Sequence, residues 1–70
     1  MNNLDRAKAI SIASSWRRLN GEIHVLSEEQ LQYLIGKELE RDQPRVTVVE
    51  RLHQRLSKLR TQRERKELME

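Results

Sequence analysis

Arg51, Arg55, Lys58, Gln62 and Arg65 recur at spacings of 4, 3, 4 and 3 residues, which places them along one face of a helix. Arg60, Arg63 and Lys66 add positive charge around the same segment. Guanidinium and ammonium groups aligned on one helical face suit contact with phosphates. Arginine outnumbers lysine six to two over residues 45–66, and its planar fork can grip a phosphate or a guanine edge with two parallel bonds. Glu50, Glu64 and Glu67 dilute the charge, and Arg63 and Glu67 are spaced as an i,i+4 pair. A solvated, partly self-paired helix face reads from the same pattern.

Catalytic chemistry finds little to work with. His24 and His53 are the only histidines, and neither has the Ser/Asp or Cys setting that a triad or a zinc site needs. Cysteine is absent, which removes disulfides and thiolate ligands. Glu28, Glu29, Glu38, Glu40 and Asp42 are spread around one predicted helix, with no pair expected against an apolar pocket that would shift its pKa. The only glycines, Gly21 and Gly36, make no phosphate-cradling loop. A chain of 70 residues is also short for a substrate cleft of ordinary size. The expectation is a protein with no catalytic residues, no metal, no cofactor and no small-molecule substrate.

The elements that must position the basic face read as three helices. The first spans about Asn3 to Leu19, where Ala9, Ile12, Ala13, Trp16 and Leu19 share a face and Asn20-Gly21 provides the stop. Ile23, Val25 and Leu26 favour an extended segment. Ser27 followed three residues later by Gln30 is a capping box, so the second helix starts at Glu28 and runs to about Arg41. Its predicted stripe is Leu31, Leu34, Ile35 and Leu39, with Tyr33 on the opposite side. Gly36, inside this helix, suggests a close helix–helix approach or a break. Pro44 turns the chain, and the third helix runs from about Arg45 to Leu68. Its seam is Val49, Leu52, Leu56 and Leu59, after which Arg63 and Lys66 take the seam positions. Val46, Val48 and Val49 leave a short strand open, which would pair with residues 23–26 as a minor two-stranded ribbon.

The fold class expected is therefore all-α: one three-helix domain over residues 1–60 with a long basic C-terminal helix. Residues 61–70 form a charged helical extension or a frayed tail. Ten leucines, one tryptophan, one tyrosine and no phenylalanine make a thin core, of a kind often supported by a partner or by homodimerisation. The net charge of +3 is unevenly spread: residues 21–42 are acidic and both flanks are basic. No apolar run approaches the roughly 20 residues that span a bilayer. The first ten residues lack the apolar stretch of a secretory signal, so a soluble cytoplasmic protein without membrane contact is expected.

Two functional classes remain. Ser27 to Leu31 opening a helix, followed by Thr47 to Leu52 opening another, is similar to the paired helices of a helix-turn-helix over about 35 residues. The connection at Pro44 lacks that motif's short glycine turn, and the chain is not assigned to the family. This reading makes a small regulator, of the size and composition carried by phages and other mobile elements. It would contact nucleic acid or transcription machinery through Arg51, Arg55, Lys58, Arg60, Gln62, Arg63, Arg65 and Lys66. The alternative is a helical-hairpin adaptor or inhibitor that meets a protein partner, or a second copy, through Tyr33, Leu56 and Leu59.

Overall fold

The computed structural model describes residues 1–69. Helix α1 (Asn3–Ala13) starts where the Asn2 side chain accepts from the Asp5 amide at 2.8 Å. It does not continue to Leu19 as the apolar spacing suggests. Ser14 donates its hydroxyl to the Ser11 carbonyl at 2.6 Å, and Ser15 is extended, with its Oγ accepting from the Arg18 amide. Serine hydroxyls offer the backbone partners that compete with the helix ladder. Two in a row stop one helix and cap the next, α2 (Trp16–Glu22). The turn puts Leu19 fully inside and leaves Trp16 46 % exposed, on the outside of the corner rather than in the core.

Gly21 sits within α2 and has no left-handed backbone conformation, so the predicted glycine stop is not used. The segment expected to be extended is a 3-10 turn, Ile23–Val25. Ile23 and Leu26, three residues apart, both face the core, while Val25 is 46 % exposed. That spacing fits three residues per turn and not strand alternation. Among the described residues there is no strand, and the two-stranded ribbon does not form.

Helix α3 (Glu28–Leu39) opens with the predicted capping box: the Gln30 amide donates to Ser27 Oγ at 3.2 Å and the Ser27 amide donates to Gln30 Oε1 at 2.9 Å. The same Gln30 side chain donates through Nε2 to the Asp5 carbonyl at 3.1 Å, tying α3 to the start of α1. After the Pro44 turn, α4 (Val46–Met69) runs for 24 residues, about 36 Å. It is antiparallel to α3, since Glu38 meets Arg45 at one end and Glu28 meets Arg63 at the other. The end of α2 and the 3-10 turn meet α4, with Asn20 against Arg51.

The molecule is all-α, with four α-helices and a 3-10 turn among the described residues in place of three helices. Its core is aliphatic: Ile12, Leu19, Leu31 and Leu52 are the largest fully buried side chains. The stripe on α3 is shifted from expectation. Leu39 is 59 % exposed and Glu38 takes the buried place one residue earlier. Nothing lies within 4 Å of a Cβ built on Gly36, so no close helix approach requires that glycine. No helix among the described residues is long and apolar enough to cross a membrane.

Candidate nucleic-acid interface

Helix α4 divides its charged residues by what neighbours them. On one side α3 supplies carboxylates. Arg63 Nη1 lies 2.6 Å from Glu28 Oε2, which takes this residue out of the basic face and makes it a clasp holding α4 to the start of α3. On the other side the carboxylate of α2, Glu22, is spent on Arg18 at 2.6 Å and does not line the groove. Asn20, Ile23 and His24 there face Arg51, Gln54, Arg55 and Lys58 across a groove of about 390 Å³. Arg51 Nε donates to Asn20 Oδ1 at 3.0 Å, which holds that guanidinium at the upper edge. Arg55 lines the groove, and its Nε is buried with no hydrogen-bond partner among the described residues. A buried donor without a partner is uncommon and calls for an acceptor.

Beyond Arg63 the helix outruns α3. Every residue from Arg60 to Met69 is exposed. Gln62 and Arg65 continue the stripe of Arg51, Arg55 and Lys58, Lys66 lies beside it, and Arg60 faces the opposite side of the helix. None of Arg51, Arg55, Lys58, Arg60, Arg65 and Lys66 pairs with a carboxylate among the described residues. The predicted basic residues thus fall into a proximal set in the groove and a distal set on the projecting turns, with Arg63 set apart by its ion pair and Arg60 by facing the other side of the helix.

Asn20, His24 and Gln54 were not legible as members of the site. Asn20 and His24 lie four residues apart, but that spacing matters only once the Ser14–Ser15 corner brings the end of α2 against α4. The residues offered as a protein-contact surface lie elsewhere. Leu56 is buried in the core and Leu59 packs against it. Tyr33 is also partly buried against the core and does not point away from it, with Arg6 and Lys37 at 5.7 and 6.0 Å from its ring. His53 is exposed and does not border the core.

A second hollow, about 410 Å³, is bounded by Ile10, Leu34, Lys37, Glu38, Arg41 and Arg45 among others. Its charges are largely spent on each other. Glu38 accepts from the Arg45 amide at 2.8 Å, from Arg45 Nε at 2.9 Å and from Nη2 at 2.8 Å, and Arg41 lies at 3.5 Å. Arg45 also reaches the Ala13 carbonyl at 3.5 Å. The hydrogen bonds from Arg45 hold the Glu38 carboxyl down at about 2, against the opposing effect of burial. The same contact raises the Arg45 guanidinium above its ordinary value. The Glu38 shift comes from an arginine and not from an apolar pocket around paired carboxylates. This is a structural clip that closes the Pro44 turn. No group of three or more potential metal-ligating side chains occurs among the described residues. No protein-family model, curated protein or solved structure matches the chain, and the case for its function rests on the geometry of α4 and its groove.

Proposed function

We propose that this protein is a small non-enzymatic regulator that binds nucleic acid through α4. The observation that carries the reading is the groove of Arg51, Arg55 and Lys58: three cations on one helix face, bordered by Asn20, His24 and Gln54, with no acidic side chain in its lining. A merely solvated face in a chain with 11 acidic residues would be expected to draw some of them in, as Arg63, Arg45 and Arg18 do. Arg55 and Lys58 are left without a carboxylate partner among the described residues, and both can neutralise and hydrogen-bond a phosphate.

The test is fluorescence anisotropy of a labelled oligonucleotide titrated with protein at about 50 and 200 mM salt. Engagement of three to six phosphates gives a log–log salt slope of roughly −3 to −5. Reversing charge in Arg55→Glu/Lys58→Glu should abolish binding while keeping the helical circular-dichroism signal and a cooperative melt, at a lowered Tm because Arg55 is half-buried and Lys58 exposed. Retained binding by a folded double variant would sink the reading.

The adaptor reading keeps one observation in its favour. Trp16, Leu39 and Val46 are 46 %, 59 % and 65 % exposed, and all three lie at the end of the bundle where Arg45 reaches Ala13. Tryptophan is enriched in binding hot spots. Absence of oligonucleotide binding at the lower salt would leave this apolar end as the surface to pursue, in place of Tyr33, Leu56 and Leu59.

A further inference from the structure

The charge on α4 is split into two sets separated along a rod, and that separation bears on which nucleic acid fits. Arg51 and Arg65 are 14 residues apart, about 21 Å along the axis. The proximal set lies in a groove whose other wall is α2 and the 3-10 turn. The distal set lies on turns that no other element covers, because α3 begins at Glu28, opposite Arg63. A bare helix is about 10–12 Å across, close to the roughly 12 Å width of the B-form major groove. The major groove of an A-form duplex is too narrow and deep for such entry.

Single-stranded ligands call for a different surface. They are held by aromatic side chains on which successive bases stack, beside a cationic track. Residues 46–69 contain no Phe, Tyr or Trp, and their one imidazole, His53, lies on the side of α4 away from the basic stripe. Tyr33 is on α3, engaged with the core, Arg6 and Lys37. Trp16 is the one aromatic exposed on the α2 side, and a single ring is a poor platform for a strand.

Resting on the nucleic-acid reading above, we infer that the ligand is B-form duplex DNA. The last turns of α4 lie in its major groove, and the Arg51–Arg55–Lys58 groove clamps the backbone of the adjoining strand. Arg65 and Lys66 then meet phosphates or guanine edges inside the groove. Gln62, exposed on the stripe between the two sets, is placed to read an adenine edge.

The experiment compares duplex DNA, single-stranded DNA and duplex RNA of one sequence and about 20 base pairs, at one low salt concentration. The full chain is used, with its variant Arg65→Gln/Lys66→Gln, whose exposed positions leave the fold untouched. Duplex DNA is expected to bind at least about tenfold tighter than the other two, and the variant to lose that preference. Equal or tighter binding of single-stranded DNA or duplex RNA overturns this inference and leaves the proposed function standing. A variant that keeps the full preference for duplex DNA also overturns it. Binding of none of the three overturns both.

Discussion

Glu38 is the residue on which the turn between α3 and α4 depends. Its side chain is 6 % exposed and holds the backbone amide and the guanidinium of Arg45 together, while Arg45 in turn reaches Ala13. One carboxylate thereby joins α1, α3 and α4. Its pKa, lowered from 4.5 to about 2, means the folded state holds the ionised form more tightly than the unfolded state does. A depressed carboxyl contributes its stability above the unfolded value and loses it as pH falls toward the folded one. The contribution is therefore complete above about pH 4.5 and disappears on acidification toward pH 2. Arg45 is 38 % exposed, so solvent screens part of the interaction and roughly 2 kcal/mol is a fair magnitude. Urea unfolding at pH 7 and pH 3 should show a larger loss of stability in the parent chain than in Glu38→Gln. Parallel losses in the two proteins would show that the clip does not contribute in this way. The sequence carried a hint of this residue, since Leu31, Leu34 and Glu38 follow the 3-and-4 spacing of a buried stripe. Hydrophobicity alone favours Leu39, and only the arrival of Arg45 makes burial of Glu38 the better arrangement.

At the scale of elements, legibility followed how local the determining interactions are. The start of α3 was readable because Ser27 and Gln30 satisfy each other within four residues. α4 was readable because its apolar seam, Leu52 and Leu56 above all, repeats over two turns. The break at Ser14–Ser15 was not, because the apolar spacing of Ala9, Ile12, Ala13 and Trp16 continues through it. The serines win there by bonding locally and by letting α2 return Leu19 and Ile23 to the core. Half of the candidate groove was hidden for the same reason. Gly36 marks where the sequence reading looked for tertiary meaning and the structure has none: it is exposed, in mid-helix, with open space where a Cβ would go. Gly36→Ala should then stabilise the protein by about 0.4–1 kcal/mol, through reduced freedom of the unfolded chain. In a domain of this size that raises Tm by roughly 2–8 °C in a thermal melt. An unchanged or lowered Tm would mean that the face around Gly36 is covered in solution, as it would be in a dimer.

For the whole molecule, the relevant fact is that it is two structures in one chain: a thin aliphatic bundle and a helix that leaves it. The radius of gyration, 12.7 Å, exceeds the roughly 11 Å expected of a compact domain with this many residues, and the longest dimension is 42 Å against 25 and 22 Å. The bundle packs around Leu31 and Leu52, but the turns past Arg63 gain nothing from it beyond continuation of the backbone ladder. A segment of so few residues is not helical by itself, because nucleation is costly, and it persists only as growth from the docked part of α4. Amide exchange should therefore show a step along one helix. Protection near that of global unfolding is expected from Leu52 to Leu59, falling to little or none from Glu64 to Met69. Saturating duplex DNA should raise protection in the second stretch far more than in the first, because binding orders what the bundle leaves loose. Uniform protection along α4 in the free protein would point to a second copy covering the extension. A step that duplex DNA leaves unchanged would place the ligand on the bundle alone, with the projecting turns outside the major groove.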